Sequence, residues 1–362
     1  MITYVLLASF PLLLSVIFPG VKENDKKKRK YLFLCGTVLV LFMGLRTKYL
    51  GSTDTYNYYN MMQRAILHTS WDSYYNDDGV EKGFQFFVYI LSRIFDSPQV
   101  LLFVTSLIFV VSALYCIYKN SENVVLSTVM YITLGLMQFE MQGMRQALAM
   151  AICMFAFEFV KKKKLIPFAL LVILAVQMHR TALVFAIVYF LTLLSYNWWS
   201  MLIIAVGSGV VFYFADTIMA FANDIFETEY AYTIDSGGFV ATAIYILIVV
   251  FAMLFNKGLK NEKRLKNNKN EKIDKTQTYI MYITIIGMLS YIMRYVGVGI
   301  AERISYYFMF GQILLLPNSV EKMEAEYRVV INAAIYILCI GLFMYRLNGT
   351  EFIPYNFFWA HY

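Results

Sequence analysis

Residues 98–118 read PQVLLFVTSLIFVVSALYCIY, a run of 21 residues without a charge. An α-helix rises about 1.5 Å per residue and the hydrocarbon core of a bilayer is about 30 Å thick, so this run is long enough to cross a membrane once. Similar stretches recur along the 362 residues, of which 60% are hydrophobic and 15% charged. Soluble domains carry roughly 25% charged residues. The composition therefore predicts an all-α, polytopic transmembrane bundle that forms one domain over residues 1–362.

Lysine clusters give the predicted orientation, because short cytoplasmic loops are rich in Lys and Arg. The clusters are Lys22 to Lys30, Lys161–Lys164 and Lys257 to Lys275. All three lie on the cytoplasmic side if the chain forms about twelve helices. We predict helices at 2–19, 31–46, 98–118, 124–139, 143–160, two short helices within 165–195 that meet at the outer surface at 179–180, 201–220, 239–255, 278–296, 304–318 and 329–346.

Two long segments connect the predicted helices. Residues 46–97 form a predicted large outer loop, and residues 256–277 form a basic cytoplasmic loop. Within the outer loop, residues 83–96 are apolar but too short to span, so we expect an interfacial or re-entrant helix there. The net charge of +7 comes from lysine clusters between apolar segments, which indicates membrane topology and no nucleic-acid partner.

The arginines are distributed differently from the lysines. Most of them are predicted in outer segments or near the outer ends of helices, namely Arg46, Arg64, Arg93, Arg145, Arg180, Arg294, Arg303 and Arg346. Guanidinium groups bind phosphates and carboxylates bidentately, so this pattern predicts an outer-face site for a lipid diphosphate, an acidic sugar or both. Snorkelling to headgroups is the alternative explanation, and it suits Arg64, Arg93 and Arg346 best.

His179 is the one histidine near the middle of an apolar stretch. An imidazole exchanges protons near neutral pH, so His179 is a candidate base for a sugar hydroxyl, with a purely structural role as the alternative. Candidate carboxylates are Asp54, Glu81 and Glu302, which suit binding of sugar hydroxyls, orientation of arginines or base catalysis. Glu302 with Arg303 also fits a structural ion pair, with Tyr306 one turn further on.

Aromatic residues of the outer loop fit two interpretations. They are Tyr56, Tyr58, Tyr59, Trp71, Tyr74 and Tyr75. Such rings stack on sugars, and they also anchor proteins at membrane interfaces.

Several motifs are absent from the sequence. It contains no Walker A, no Rossmann glycine fingerprint, no HExxH and no CxxC, and its four cysteines lie within apolar runs. These observations predict no cofactor and no metal site.

The order of the polar motifs resembles that of the EpsG family, which is similar to the Wzy-type exopolysaccharide and O-antigen polymerases. The motifs that carry the likeness are Arg46, Gly51-Ser52-Thr53-Asp54-Thr55-Tyr56, Glu81-Lys82-Gly83-Phe84, Met144-Arg145-Gln146-Ala147-Leu148-Ala149, Ala175-Val176-Gln177-Met178-His179-Arg180-Thr181-Ala182, Glu302-Arg303-Ile304-Ser305-Tyr306-Tyr307 and Ile353-Pro354-Tyr355. The likeness spans nearly the whole chain. Arg180 departs from the pattern, because a small polar residue is expected after the histidine.

The resemblance implies a glycosyltransferase-C-like site on the outer face of the bacterial cytoplasmic membrane. Such polymerases join oligosaccharide repeat units carried on undecaprenyl diphosphate, and a partner protein often regulates chain length. The implied roles are Arg145 and Arg303 on the diphosphate, with Arg46 and Arg294 assisting. His179 would be the base or would orient the acceptor, and the residues that would orient arginines or sugar are Asp54, Glu81, Arg180, Glu302 and Tyr306.

Four other functions remain open from the sequence. A flippase for the same lipid-linked sugar would need arginines through the membrane depth, whereas here they gather at one face. An outer-face transferase using a polyprenyl monophosphate sugar would use Asp54 as its base. A ligase that transfers finished glycan is equally compatible, and an acyltransferase with a lone histidine would leave the arginines unexplained.

Overall fold

The computed structural model describes residues 1–51, 53–76, 79–214, 217, 238–256, 275–296 and 299–360. Throughout these residues the regular elements are helices, and one isolated antiparallel bridge joins Arg46 to Phe357. The basic loop predicted at 256–277 lies outside the described residues over 257–274, as do Ser52 of the outer motif and the end of the helix predicted at 201–220.

The chain forms two compact units. Unit 1 comprises Met1–Met154, Ile173–Arg180 and Asn332–Tyr362, and unit 2 comprises Phe155–Val172 and Thr181–Ile331. The single domain predicted for residues 1–362 stays a prediction.

The helices of the first half of the chain are short to medium in length. They are α1 (Ile2–Ile17), α2 (Asp25–Gly44), α3 (Thr53–Leu67), α4 (Trp71–Tyr74), α5 (Lys82–Ile94), α6 (Gln99–Asn120), α7 (Val124–Thr133), α8 (Leu136–Gln142) and α9 (Met144–Lys161). Helix α2 begins six residues before the predicted start at 31, because the Asn24 side chain accepts a hydrogen bond from the Lys27 N–H and Asp25 occupies the first turn. The predicted outer loop 46–97 is itself mostly helical.

The second half contains more 3-10 turns. Its helices are α10 (Leu165–Met178), a 3-10 helix (Arg180–Ala186), α11 (Ile187–Phe190), α12 (Trp198–Tyr213), α13 (Phe239–Phe255), α14 (Thr276–Ile292), α15 (Gly299–Tyr306), α16 (Gln312–Glu321) and α17 (Ala325–Leu347). The stretch 165–195 divides at His179, as predicted. The segment predicted as a helix near 83–96 is α5, which is 13 residues long.

The single helix predicted at 304–318 is wrong, because the chain leaves the α-helix between Tyr306 and Gln312. A 3-10 turn, Met309–Gly311, occupies the gap. A Cβ on Gly311 would lie 2.6 Å from the Thr284 hydroxyl, so only glycine allows this turn to approach α14 so closely. The helix predicted at 124–139 is likewise divided at Gly135, which has a φ of +105°.

Two described helices are long and apolar enough to cross a membrane, Gln99–Asn120 and Ala325–Leu347. A third candidate span is the pair α7 and α8, which are bent by 44° at the break. Five shorter apolar segments accompany them, Ile2–Ile17, Leu165–Met178, Arg180–Leu193, Trp198–Val210 and Phe239–Phe255. The structure therefore supports a helical membrane protein, and the count of twelve helices stays a prediction.

Contacts within unit 1 bring the predicted outer helix ends together. The Gln99 side chain at the start of α6 donates to the carbonyls of Gly44 and Arg46 at the end of α2. The tail after α17 pairs with the residues that follow α2. The Thr47 N–H donates to the Asn356 carbonyl, and the Phe358 N–H donates to the Leu45 carbonyl. The end of α2, the start of α6 and the tail therefore lie at one end of this unit.

Candidate functional site

The outer segment is built around an apolar cluster in unit 1. Helices α3, α5, α6 and α9 contribute its buried side chains, among them Tyr58, Phe84, Leu102 and Met144. Tyr58 and Phe84 meet edge to face, with ring centroids 5.6 Å apart. This packing fixes α3 and α5 beside the first turn of α9, which carries Arg145.

Glu81 lies at the centre of a polar cluster beside these rings. It is the N-cap residue of α5 and is only 6% exposed. Its Oε2 accepts from Arg145 Nη1 at 2.8 Å, and its Oε1 lies 3.0 Å from His179 Nδ1 and accepts from the Arg180 N–H at 3.0 Å. Three motifs that are far apart in the sequence therefore converge on one carboxylate.

Gly83 makes this convergence possible. A Cβ at Gly83 would lie 2.6 Å from both the Cβ and the carbonyl oxygen of Gln177, near the end of α10. Real Cβ atoms do not approach so closely, so any other residue would push α5 away from α10. The absence of a side chain at Gly83 thus allows α5 to approach α10 closely enough for Glu81 to contact His179.

Gln85 fixes the loop that leads into Glu81. Its side-chain amide donates to the carbonyls of Asn76 and Val80, and its Oε1 accepts from the Asn76 N–H. The Gln85 N–H bonds to the Glu81 carbonyl in the first turn of the helix. The carboxylate is therefore held by its own loop as well as by its partners.

The Arg145 guanidinium is hydrogen-bonded to two side chains. Its Nη1 bonds Glu81, and its Nε donates to the Tyr58 hydroxyl at 3.2 Å. The side chain nevertheless keeps 24% of its surface exposed. This geometry leaves part of a firmly oriented guanidinium accessible to an anionic ligand.

His179 lies at the break between α10 and the following 3-10 helix. Because Glu81 is the partner of Nδ1, the proton is assigned to Nδ1 and the lone pair to Nε2. Nε2 is buried and has no hydrogen-bond partner among the described residues. An imidazole in this state can accept a proton from a hydroxyl group placed against Nε2.

Glu81 lies outside the predicted spans and is ionised at neutral pH. Burial by itself raises the pKa of its carboxyl. The hydrogen bond and attraction of His179, the charge of Arg145 and the N–H of Arg180 outweigh burial and lower the pKa to about 2. A fixed negative charge therefore faces His179 and Arg145.

A second polar cluster lies in unit 2. Arg294 Nη1 is 3.2 Å from Glu302 Oε1 and donates to the Tyr291 hydroxyl at 2.6 Å. The Tyr306 hydroxyl donates to Glu302 at 3.0 Å. Arg303, on the same helix α15 as Glu302, is exposed. Glu302 is thus the partner of Arg294 and Tyr306.

Arg46 is completely buried. Its guanidinium donates to the carbonyls of Met43 and Met141. Ser106 lies between it and Glu140, because the Ser106 hydroxyl contacts Arg46 Nη1 and donates to Glu140 Oε1, both at 3.3 Å. These contacts describe an internal polar link, and a role of Arg46 in substrate binding stays a prediction.

The remaining predicted residues lie near the first cluster. Asp54 is exposed in the first turn of α3, one turn before Tyr58. Burial raises the pKa of the Tyr58 hydroxyl, and the negative charge of Asp54 also acts to raise it. Arg180 contributes its main-chain N–H to Glu81.

Sequence reasoning did not single out Glu140, Ser106 or Gln85. The signal for Glu140 was an acidic residue directly after an apolar run.

Comparison with known proteins gives one result. The model of the EpsG family matches residues 5–357, which include Glu81, Arg145 and His179. No curated protein and no solved structure matches the chain. Because the match covers nearly the whole sequence, the chain belongs to the EpsG family.

Proposed function

We propose that this protein is a glycosyltransferase that polymerises oligosaccharide repeat units carried on undecaprenyl diphosphate. Members of the EpsG family are exopolysaccharide polymerase-like proteins, which supports a role in polysaccharide biosynthesis. The observation that carries the proposal is the convergence of His179 and Arg145 on Glu81.

The reaction needs a base and a cation. The acceptor hydroxyl loses its proton to Nε2 of His179, and its oxygen forms a bond to C1 of the sugar that links the growing chain to its lipid. The bond between C1 and the diphosphate oxygen breaks, and the lipid diphosphate leaves with the bonding electrons. Glu81 stabilises the imidazolium through Nδ1–H, as a buried aspartate does beside the catalytic histidine of serine proteases.

Arg145 is the residue that we propose binds the leaving diphosphate. It is oriented by Glu81 and Tyr58 while remaining partly exposed, so it needs little reorganisation when charge develops on the phosphate. Substrate binding by Arg294, Arg303, Glu302 and Tyr306 rests on the sequence pattern alone and stays a proposal. The sugar–phosphate bond is already activated, so the proposed reaction consumes no ATP.

The proposed setting is the bacterial cytoplasmic membrane, which the chain crosses about twelve times as one domain, with the active site outside. The glycosyltransferase-C-like arrangement, the lipid-linked oligosaccharide substrate and a partner that regulates chain length belong to the same proposal.

A reconstituted assay tests it. Purified protein in lipid vesicles receives a synthetic lipid-diphosphate repeat unit, and a gel resolves the products. A ladder from the wild type that is lost in Arg145→Ala and His179→Ala proteins supports the proposal. Arg29→Ala is the matched control, because Arg29 is exposed and pairs with Asp25 on α2. A folded wild type that yields no ladder contradicts polymerase activity.

A further inference from the structure

A cavity of about 290 Å³ lies between α3, α4 and α5 in unit 1. Its volume is similar to that of the smaller ligand pockets found in proteins. Its lining is mostly polar and consists of Met61, Arg64, His68, Ser73, Tyr74, Tyr75, Asn76 and Gln85. We propose that this cavity binds one acidic sugar residue of the oligosaccharide. The inference rests on the function proposed for the neighbouring Glu81 cluster and deepens it by naming a substrate class.

The charge of the lining selects for an anion. Arg64 lies in the last turn of α3, and His68 directly follows the end of that helix, with its N–H bonded to the Arg64 carbonyl. Both side chains line the cavity, and the Arg64 guanidinium supplies its positive charge. Among the described residues, no carboxylate lines the cavity. A guanidinium pairs bidentately with the carboxylate of a sugar acid, which a neutral sugar cannot offer.

The other lining groups suit a sugar ring. The rings of Tyr74 and Tyr75 stack on Tyr89 and Trp71 and contribute aromatic carbon surface to the lining, of the kind that packs against the C–H groups of sugars. The Ser73 hydroxyl and the Asn76 side-chain amide can bond hydroxyls. An acyl or polyprenyl chain would instead need an apolar lining.

The walls of the cavity are held in place. Ser70 and Ser73 form a capping box that starts α4. Trp71 stacks on Tyr75 with centroids 5.3 Å apart and meets Tyr89 of α5 edge to face at 5.6 Å. Gln85 is only 2% exposed and holds the loop on the other side. The cavity is therefore preorganised, which lowers the entropic cost of binding.

The cavity also lies one helical turn from the Glu81 cluster. Gln85 follows Glu81 by four residues on α5, and Met61 follows Tyr58 by three on α3. One turn is about 5.4 Å, so a sugar in the cavity is close enough to be covalently linked to a sugar at His179. The acidic sugar bound in the cavity would thus determine which neighbouring sugar of the oligosaccharide lies at His179.

Binding of free glucuronate tests the proposal without any turnover. The full chain in nanodiscs is titrated with glucuronate, glucose and inorganic phosphate, and binding is followed by saturation-transfer and phosphorus NMR. We expect millimolar binding of glucuronate and at least tenfold weaker binding of glucose and phosphate. Equal binding of glucose would refute the anionic selectivity. Phosphate binding as tight as that of glucuronate, and weakened by Arg64→Gln to the same extent, would refute the sugar site.

Variants locate the binding. Arg64→Gln is expected to weaken glucuronate binding at least tenfold with an unchanged unfolding temperature, and Tyr75→Ala is a second, uncharged probe of the same cavity. Lys48→Gln removes one positive charge of the outer segment elsewhere and should leave binding unchanged. Retention of full affinity by both Arg64→Gln and Tyr75→Ala would overturn the proposal. His179→Gln should bind glucuronate normally, so failure of polymerisation and failure of this subsite are distinguishable.

Discussion

His179 Nδ1 and Glu81 Oε1 lie 3.0 Å apart although 98 residues separate them in the chain. The pair leaves Nε2 of the imidazole as the nitrogen that accepts a proton. The same carboxylate also orients Arg145, so a single buried charge positions both the proposed base and the proposed diphosphate grip. Three of the four predictions below follow from this pair and from the contacts around it, and the fourth concerns the buried Arg46.

Glu81→Gln should slow polymerisation by about 100-fold, because the imidazole loses its orienting negative charge and Arg145 loses its ion pair. The initial rate of ladder formation in vesicles measures the effect, and the loss should appear mainly in kcat. Glu81→Asp keeps the charge and should retain more activity than Glu81→Gln. Equal rates for the two variants would argue that charge at this position is unimportant.

Gly83→Ala should destabilise the protein by about 1–3 kcal/mol and reduce activity, since the added Cβ would meet Gln177. The unfolding temperature and the rate of ladder formation are measured together. Gly341→Ala is the matched control, because no described atom beyond the local backbone of its own helix lies within 4 Å of a Cβ built there. If Gly83→Ala behaves like this control, the close approach of α5 and α10 is not required.

The stability contributed by Glu81 should depend on pH. Its pKa is lowered from 4.5 to about 2 in the folded protein, so the contribution is fully present above pH 4.5 and is lost as the pH falls toward 2. The loss amounts to about 3 kcal/mol. Unfolding of the wild type and of Glu81→Gln, measured in detergent from pH 7 to pH 2, should therefore converge at low pH. A constant difference across this range would contradict the lowered pKa.

Arg46→Met should destabilise the protein by about 3–5 kcal/mol, because it leaves the buried Glu140 without its nearby cation. The double variant Arg46→Met with Glu140→Leu should recover much of that loss. Unfolding temperatures of the singles and the double form a double-mutant cycle. Recovery of stability and of ladder formation in the double variant would assign Arg46 to the core. A stable but inactive double variant would support contact of Arg46 with the substrate.

Several features of the site could be read from the sequence. The apolar runs predict the helical class, and His179-Arg180 within residues 165–195 predicts the division of that stretch. The sequence predicts Arg145 and His179 at the outer ends of helices and Glu81 as a candidate carboxylate of the outer loop. Sequence spacing did not show that all three meet, because the contacts span 64 and 98 residues and depend on tertiary packing.

Other features were hidden for physical reasons. Hydrophobicity does not reveal where a helix stops when the residues that stop it are themselves apolar or glycine, as at Gly135 and Gly311. The helices α3 and α4 lie in a polar segment that reads as a loop. An ion pair with the adjacent Arg303 was one of the alternatives for Glu302, and the structure pairs Glu302 with Arg294, on an adjacent 3-10 turn.

The pairing of the tail with residues 45–47 has a consequence for how the protein is made. In the part of the chain that the structure describes, the Thr47 N–H bonds to the Asn356 carbonyl and the Leu45 carbonyl accepts from the Phe358 N–H, and the ribosome adds these partners more than 300 residues later. Until then, this backbone at the end of α2 must be hydrated or held by another protein. A nascent chain that stops before residue 356 would leave its first outer connection open, and a cell could recognise such a chain as unfinished by that exposed backbone alone.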